Sequence, residues 1–489
     1  MSARQVEGVR GSAILLALVA VAFFVMLTST ARDLLLRDPD LFWHIAVGRK
    51  ILATLSFPWM DEFSHTFTGR PWIAKEWLSQ VILAEVYDVA GWKGLAALAG
   101  CAVALTFTLL FVTLSERMRV VPALIATLFA YALSTTHFIV RPHLLTFPLL
   151  VLWVGILVRA VEARKPPSFL SLAIIVVWAN LHSGFTLGLL LAAGFALEAI
   201  VTSDKAARRE TALRWVVFVA AAGAASLVTP YGHQAILMTP TLLVGNESLK
   251  YITEWQPMNF VRDRIPGQLI LLALFASLFY GVRLPFVRCV ITLGMIYLML
   301  SHFRFIALAA IVIPVLISDP LVQQFAYLRR PGQGEVDPAL AHASRLARKP
   351  GWLLLLLIIA LAGAYASVRF PEREPLRIIT PARAVDYIKE HEGNKILYND
   401  YLFGGYLIFR GIPTFVDGRS DQLFGGGFLD GLYSSLEAPK AEFLRLLDKY
   451  RISLALVRPN SAETMRLDEA TGWRRVYADD VAVVYERAP

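Results

Sequence analysis

Long apolar runs, separated by short polar segments, fill most of the first 370 residues of this chain. A helix that crosses a bilayer needs roughly 17–25 mostly apolar residues. By that measure the pattern predicts about eleven spanning helices. They cover residues 11–30, 92–115, 120–138, 143–161, 168–183, 185–202, 213–230, 266–282, 284–300, 304–320 and 351–369. We therefore predict a polytopic α-helical membrane protein with a transmembrane core over residues 1–320 and a last span over residues 351–370.

From residue 371 onward, short apolar runs alternate with amphipathic segments. Their spacing predicts two helices and four strands, over residues 381–390, 438–450, 395–398, 414–416, 452–457 and 481–485. Alternating helices and strands favour a layered domain, so we predict an α/β domain over residues 371–489. Residues 321–350, which contain proline, glycine and several basic residues, are predicted to be a mobile linker.

A polar segment over residues 31–91 separates the first two predicted spans. Apolar residues follow Asp40 at helical spacing, which predicts an amphipathic helix along the membrane surface with Asp40 as its N-cap. Residues 76–88 are predicted to form a second interfacial helix that leads into the span at residue 92. The titratable side chains of interest in this segment are Asp38, Asp40, His44, Asp61, Glu62, His65 and Glu76.

Composition and charge agree with a membrane location. The chain is 56% hydrophobic and 17% charged, which leaves more apolar surface than a soluble protein of 489 residues can bury. Its net charge of +9 is no argument for nucleic acid, because Lys and Arg concentrate in the cytoplasmic loops of membrane proteins. Basic residues cluster in predicted loops at one face, over residues 117–119, 164–165, 205–209, 283–288 and 321–350. This bias predicts a cytoplasmic N-terminus, with the polar segment and the α/β domain outside the cytoplasm.

Several familiar signals are missing from the sequence. Cys101 and Cys289 both lie in apolar runs, so we expect no structural disulfide. There is no P-loop, which argues against a primary ATP-driven pump, and no HExxH, GxSxG or strand-flanked GxGxxG motif. An enzyme built from this chain would therefore need a substrate that carries its own activation.

Asp38 and Asp40 lie just outside the first span, where a carboxylate could act as a general base towards a hydroxyl or amine, or hold a divalent cation. The alternative is structural, with Asp40 only a helix cap and Asp38 a turn residue. His44 follows Asp40 by four residues on the same helix face, so it could assist Asp40 or bind phosphate. Alternatively, it packs beside Trp43 at the interface. The other titratable residues before residue 70 are assigned to loop structure: Asp61, Glu62 and His65.

A second group of candidates lies in the outer loop or near the predicted outer ends of spans. They are Lys75, Glu76, Arg141, His143, His182 and Arg304. The cations together could form a pocket for the phosphate of a lipid-linked substrate, to which arginine offers bidentate contacts. Each alone is equally typical of a side chain that reaches to the membrane interface. In the α/β domain, Asp417 and Arg419 could face an acceptor, or they could contact each other and hold a turn.

Several segments resemble those of a large set of uncharacterised bacterial membrane proteins. They are DPDLFWHIAVGRKIL, DEFSHTF, KEWLSQ, VRPHLLTF, NLHSGF, TPYG, NDYLFGGYLIF and FVDGRSD. More broadly, a cytoplasmic N-terminus, an outer loop with an Asp-x-Asp element, many further spans and an outer α/β domain resemble the GT-C superfamily. These membrane glycosyltransferases use polyprenyl-phosphate sugars, and they include oligosaccharyltransferases and lipid A aminoarabinose transferases.

The resemblance implies an enzyme of the bacterial inner membrane that moves a hexosyl or pentosyl group from a polyprenyl-phosphate donor to an extracytoplasmic hydroxyl, with inversion. It implies that Asp40, with Asp38 second, is the catalytic base or a metal-holding acid. It also implies that Arg141, His143 and Arg304 bind the lipid phosphate. The acceptor would be a protein, a lipid or a glycan, and a divalent cation is the one cofactor to consider. The chain lacks the WWD-type motif of oligosaccharyltransferases, so N-glycosylation of a sequon is not predicted.

Two other functions are open at this point. A transporter or flippase for a lipid-linked glycan would bind the same substrate without forming a glycosidic bond. A two-half inverted repeat would favour it, and none is visible in the sequence. A non-catalytic component of envelope polysaccharide assembly would use the loop carboxylates only for structure.

Overall fold

The computed structural model describes residues 19–24, 35–243, 247–332, 337–339, 341, 375–391, 393 and 395–488. Most of the predicted first span and all of the last one, 351–369, therefore lie outside the described residues. The chain divides into two compact units. The membrane unit comprises Met1–Arg32, Ala96–Gly232 and Glu254–Glu372. The α/β unit comprises Asp33–Leu95, His233–Thr253 and Arg373–Pro489.

The α-helices of the described residues from Asp40 onward are, in chain order, α1 (Asp40–Thr54), α2 (Trp77–Ser115), α3 (Val120–Ser134), α4 (Phe147–Glu162), α5 (Leu172–Leu181), α6 (Phe185–Thr202), α7 (Arg208–Ala225), α8 (His233–Leu243), α9 (Arg264–Phe279), α10 (Phe286–Ser301), α11 (Ile306–Gln324), α12 (Ala382–His391), α13 (Gly404–Phe409), α14 (Phe428–Glu437), α15 (Lys440–Lys449) and α16 (Ala462–Asp468). The described strands are β1 (Leu397–Asn399), β2 (Leu454–Val457), β3 (Trp473–Ala478) and β4 (Val483–Arg487). Short 3-10 turns at Pro142–Thr146, Thr253–Trp255 and Phe303–Phe305 carry or adjoin candidate site residues.

Five helices of the described part are long and apolar enough to cross a membrane: Trp77–Ser115, Val120–His137, Pro142–Glu162, Phe185–Thr202 and Phe303–Gln324. Three shorter apolar helices also coincide with predicted spans, namely Phe169–Leu181, Arg264–Phe279 and Phe286–Ser301. The chain is therefore a multi-pass membrane protein with a C-terminal sheet domain, as predicted. The predicted total of about eleven spans is not confirmed.

A buried ion pair lies among the helices of the membrane unit. Arg288, assigned from the sequence to a basic cytoplasmic loop, is instead a buried residue of α10. Its Nε atom donates to Oε1 of Glu198 on α6 at 2.7 Å, and its Nη1 atom donates to the Leu316 carbonyl at 3.2 Å. These partners are necessary because an unpaired charge in such a place would be very costly.

The beginning of the predicted linker is ordered. Beyond α11, Arg329 pairs with Met118 as an isolated β-bridge. The Asp337 carboxylate accepts the backbone N–H of Val120, the first residue of α3, at 3.2 Å. The prediction that residues 321–350 are mobile is therefore wrong for residues 321–332, because backbone hydrogen bonds fix them beside the start of α3.

The sheet of the α/β unit has the strand order β1-β2-β4-β3. β1 and β2 are parallel, with Tyr398 opposite Ala455, whereas β4 is antiparallel to both β2 and β3. The strands predicted at residues 395–398, 452–457 and 481–485 are confirmed, within a few residues, as β1, β2 and β4. The two predicted helices correspond to α12 and α15.

Two features of this domain differ from prediction. The strand predicted over residues 414–416 is absent, and Thr414 instead makes an isolated β-bridge with Ser64. β3 was not predicted, because Arg474 and Arg475 are exposed at its centre and remove the apolar alternation that identifies a strand.

α1 is enclosed by the α/β unit. Its buried residues are Leu41, Phe42, Trp43, His44, Ile45, Val47, Gly48 and Ile51. Phe42 packs edge-on against Tyr406 of α13, with ring centroids 5.0 Å apart, and shares a hydrophobic core with Leu397 of β1. The predicted amphipathic pattern of α1 is therefore wrong, since the helix buries more than one face within a folded domain. Its position along the membrane surface stays a prediction.

α2 contains a break at Gly91, where φ is 60° and ψ is −155°. Glycine adopts this left-handed backbone without steric cost, so the helix can stop and restart there. The segments on either side of Gly91 correspond to the predicted helix over residues 76–88 and to the predicted span that begins at residue 92.

We expect His65 to make the stability of the α/β unit depend on pH. Burial lowers the pKa of its ring, and the hydrogen bond from Nε2 to the Leu397 carbonyl at 2.8 Å only partly offsets this. The unfolded chain, with a histidine pKa of about 6.5, then binds the proton more readily than the folded protein. Stability is thus fully present above about pH 6.5 and decreases as the pH falls. Thermal unfolding at several pH values should show this decrease, and His65→Gln should weaken it; an equal decrease in both proteins would contradict the assignment.

Candidate functional site

A buried ion-pair triad joins the loop around residue 61 to the turn that follows residue 416. Nε and Nη2 of Arg419 each donate to an oxygen of Asp417 at 2.8 Å, and Nη1 donates to Oδ1 of Asp61 at 2.5 Å. All three side chains are 0% exposed. Burial opposes the charge of Arg419, but the two carboxylates outweigh burial and raise the pKa of the guanidinium. The triad therefore fixes both loops in one geometry.

The complete burial of Asp417 and Arg419 distinguishes between their two interpretations, contact with an acceptor and an internal contact that holds a turn. Neither side chain has exposed surface with which to touch an acceptor. An acceptor-facing position is therefore not supported, and the alternative, an internal contact that holds the turn, describes what these residues do in the structure. Asp61, assigned from the sequence to loop structure, belongs to the same contact.

Asp40 is the first residue of α1, and its carboxylate lies directly against the backbone of Gly418. A Cβ atom placed on Gly418 would come within 1.7 Å of Oδ1 of Asp40 and 3.2 Å of Nε1 of Trp43. Carbon atoms in contact prefer separations of roughly 3.5–4 Å, so only glycine leaves room for this carboxylate. Because Gly418 lies between Asp417 and Arg419, the triad fixes the backbone against which Asp40 rests.

Pro39, rather than Asp40, occupies the N-cap position of α1. Oδ1 of Asp38 accepts the backbone N–H of Asp40 at 2.8 Å, and Asp40 itself lies inside the helix. The prediction of Asp40 as N-cap is therefore wrong. The Asp-Pro-Asp turn offers two carboxylates two positions apart, and the spacing alone cannot tell which of them accepts the backbone N–H.

Tyr401 and Ser420 lie near Asp40, although no sequence pattern singles them out. Their hydroxyl groups share a hydrogen bond of 2.9 Å. Burial raises the pKa of Tyr401 well above its ordinary value, and the nearby Asp40 carboxylate raises it further, so the phenol stays protonated. Both residues belong to the segments NDYLFGGYLIF and FVDGRSD, whose ionic residues are more conspicuous. We refer to Asp40, Tyr401, Gly418 and Ser420 as the Asp40 cluster.

The other candidates of the outer loop contact partners within the α/β unit. His44 is buried, with Nδ1 3.2 Å from Nε2 of Gln80 and Nε2 3.9 Å from Oε2 of Glu76. Its ring also lies against the Trp43 ring, with centroids 3.7 Å apart, which is the contact that the alternative interpretation of His44 predicts. Lys75 forms an ion pair with Asp421.

Three charged residues of the membrane unit meet in one cluster. Nη1 of Arg141 donates to Oε2 of Glu254 at 2.7 Å, and Nη1 of Arg304 lies 3.6 Å from Oε1 of the same carboxylate. The Arg304 guanidinium also lies over the Trp255 ring, 4.2 Å from its centroid. Burial raises the pKa of Glu254, but the two arginines outweigh burial and hold that pKa well below its usual value. We refer to Arg141, Glu254 and Arg304 as the arginine clamp.

The structure thus brings the predicted cations of the membrane unit close together. The two arginines share Glu254, which was not a candidate because a single acid between predicted spans forms no motif. Nε2 of His143 lies 3.1 Å from the carbonyl oxygen of His137, and the ring centroids of His143 and His182 are 6.2 Å apart.

The described residues contain no group of three or more His, Cys, Asp and Glu side chains that could hold a metal ion. Asp38 and Asp40 supply two carboxylates that could hold a divalent cation, and one oxygen of Asp38 accepts a backbone N–H. Mg²⁺ is commonly held by one or two carboxylates together with waters and substrate phosphates. The role proposed below for Asp40 is that of a general base, which needs no metal.

No family model and no curated protein matches this chain by sequence. By structure, the chain is similar to ArnT from Cupriavidus metallidurans in the apo state, with a TM-score of 0.53 and 14% identity over 97% of each chain. ArnT bound to undecaprenyl phosphate gives a TM-score of 0.51 at 15% identity, over 97% of this chain and 98% of that one.

The chain is also similar in structure to an archaeal protein. The apo oligosaccharyltransferase of Archaeoglobus fulgidus matches with a TM-score of 0.52 at 11% identity, over 91% of this chain and 69% of that one. At sequence identities this low, the TM-scores establish a shared fold and nothing about activity. The matches confirm the GT-C-like fold that the sequence resemblance implies.

Proposed function

We propose that this protein is a membrane glycosyltransferase that moves a hexosyl or pentosyl group from a polyprenyl-phosphate donor to an acceptor hydroxyl outside the cytoplasm. The fold shared with ArnT, one structure of which is bound to undecaprenyl phosphate, and with an oligosaccharyltransferase supports this reaction class. One observation on this chain carries the proposal. The Asp40 carboxylate lies against Gly418 and raises the pKa of the Tyr401 phenol, whose hydroxyl group is hydrogen-bonded to that of Ser420.

Asp40 is the proposed general base. Its carboxylate takes the proton of the acceptor hydroxyl while the acceptor oxygen bonds to the anomeric carbon of the sugar. The bond from that carbon to the phosphate oxygen breaks, its electron pair leaves with the lipid phosphate, and the single displacement inverts the configuration. The protonated phenol of Tyr401 supports this role, because it is a donor that can hold the carboxylate or the acceptor oxygen in place.

In the membrane unit, Arg141 and Arg304 are the proposed phosphate-binding residues. Negative charge grows on the lipid phosphate as the bond to the sugar breaks. Guanidinium groups already held in position stabilise that growing charge, and arginine pairs with phosphate in well-defined geometry. The neighbouring histidines His143 and His182 are proposed to line the same substrate region.

We propose that the protein lies in the bacterial inner membrane with its N-terminus in the cytoplasm. The basic loops at one predicted face support this orientation. After replacement of Cys101 and Cys289, a membrane-impermeant thiol reagent added to intact cells should label a cysteine introduced at Arg70. It should not label one introduced at Arg164. The reverse pattern would contradict the orientation.

A direct assay separates this function from its alternatives. Purified protein is incubated with radiolabelled polyprenyl-phosphate sugars and with envelope extract as the source of acceptor. Transfer or hydrolysis of the sugar supports the glycosyltransferase. Binding without turnover indicates a transporter or flippase, and the absence of both indicates a non-catalytic assembly component.

The position of Gly418 makes a sharp prediction for the Asp40 cluster. Gly418→Ala places a methyl group 1.7 Å from the position of Oδ1 of Asp40, so the carboxylate must move. A displacement of about 1 Å in a catalytic group costs on the order of a hundredfold in rate, and we expect a loss of that size in kcat/KM. Gly431→Ala is the matched control, because a Cβ there meets nothing within 4 Å. Normal kcat/KM for Gly418→Ala would show that the contact is not needed for catalysis.

A further inference from the structure

The two arginines of the membrane unit already hold an anion that belongs to the chain. One oxygen of the Glu254 carboxylate receives Arg141 at 2.7 Å, and the other lies 3.6 Å from Arg304. The arginine clamp therefore contains two positive charges and one negative charge. Its geometry, with two guanidinium groups on the oxygens of a single small anion, is also the arrangement by which arginines bind phosphate.

A phosphate that approached Arg141 and Arg304 would meet this carboxylate. Two anions placed side by side repel each other, so the carboxylate opposes the binding of a phosphate at the same guanidinium groups. Protonation of Glu254 would remove the conflict, but the two arginines hold its pKa well below the ordinary range, so the carboxylate stays charged at neutral pH. Phosphate and carboxylate would therefore compete for the same guanidinium groups.

We propose that the Glu254 carboxylate competes with phosphate for the two arginines of the arginine clamp. Glu254 leaves Arg141 and Arg304 when a lipid phosphate binds, and it returns to them as the product, the free lipid phosphate, is released. This inference rests on the proposed function. It assigns Glu254 a positioning role, since the residue acts through Arg141 and Arg304 and does not touch the reacting atoms.

Competition by Glu254 has its largest effect on turnover after the chemical step, when the product must leave. The donor is a phosphodiester with a single negative charge, whereas the departing lipid phosphate is a monoester with about −1.5 to −2 at neutral pH. The product therefore binds two arginines more tightly than the donor does, and its release would limit turnover. A tethered carboxylate that re-pairs with both arginines offsets this difference, and product release often determines kcat.

If Glu254 competes with phosphate, removal of its charge should increase the affinity for lipid phosphate and decrease kcat. Glu254→Gln keeps the size of the side chain and removes its charge. We expect undecaprenyl phosphate to bind this variant about tenfold more tightly, which corresponds to about 1.4 kcal/mol. We also expect a lower KM for the donor, stronger inhibition by undecaprenyl phosphate and a lower kcat. A purely structural role would reduce stability or affinity and could not improve binding.

Binding of undecaprenyl phosphate to the full-length protein in detergent, measured by microscale thermophoresis, is the decisive test. Glu210→Gln is the matched control, since Glu210 also pairs with an arginine, Arg214, but both side chains are more than half exposed. Glu254→Asp, which keeps the charge with a shorter reach, should bind between wild type and Glu254→Gln and replaces it if Glu254→Gln does not fold.

The outcomes separate this inference from the proposed function. Tighter binding by the Glu254 variants, with Glu210→Gln unchanged, supports the competitor role. Binding by the wild type with equal or weaker binding by the variants overturns that role and leaves the glycosyltransferase proposal standing. The absence of binding by every protein overturns both.

Discussion

Asp40→Asn lowers the rate of sugar transfer by about a hundredfold or more and leaves the protein folded. General bases contribute roughly 10²- to 10⁴-fold to enzymatic rates, and asparagine fills the same space without accepting a proton. The variant keeps its place against Gly418, so the change tests proton transfer separately from packing. The measurement is the initial rate of transfer, or of donor hydrolysis, from a radiolabelled polyprenyl-phosphate sugar.

The control for Asp40→Asn is Asp88→Asn. Asp88 belongs to the same unit but forms an exposed pair with Arg49, so its substitution should leave the rate unchanged. Both variants should elute as folded protein in size-exclusion chromatography. A wild-type rate for Asp40→Asn would remove Asp40 from the proposed mechanism.

Arg419→Met is expected to destabilise the α/β unit severely. The substitution leaves Asp61 and Asp417 buried without their cation, and breaking a buried ion pair in this way costs about 3–5 kcal/mol. Losses of that size are exceptional among single substitutions and often prevent folding. Arg419→Lys should recover only part of the stability, because one ammonium group cannot reproduce three directed contacts with two carboxylates.

Stability is measured by thermal unfolding of the purified protein and by the rate at which protease cuts the α/β unit. Arg474→Met serves as the comparison, because the Arg474 side chain is 68% exposed and its pair with Glu486 should contribute little. Equal unfolding temperatures for Arg419→Met and wild type would show that the triad does not hold the unit together.

The apolar spacing of the sequence predicted helices whose formation depends on residues close together in the chain. Apolar spacing after residue 40 predicted α1, and the glycine at residue 91 lies where a helix was expected to precede a span. The same spacing could not predict that α1 is enclosed. The helix packs against Tyr406, and a periodic pattern gives no information on a partner so distant in the chain.

The residues of the candidate site also fall into those that the sequence could identify and those that it could not. Asp40 was identified by its position in the outer loop, and Arg141 and Arg304 by their predicted depth. Gly418 and Glu254 were not identified, because each matters through a contact with a residue far away in sequence. For Glu254, the partner Arg141 lies 113 residues earlier.

The triad also has a consequence for how this protein is made. Asp61 and Arg419 are 358 positions apart, so a ribosome that adds roughly 5–20 residues per second needs about 20–70 s to travel from one to the other. Throughout that interval the early loop exists without the cation that compensates Asp61. A truncated chain that ends before residue 419 can never supply it. Completion of synthesis is thus a condition for this unit to become protease-resistant, and prematurely terminated chains should be degraded rather than accumulate.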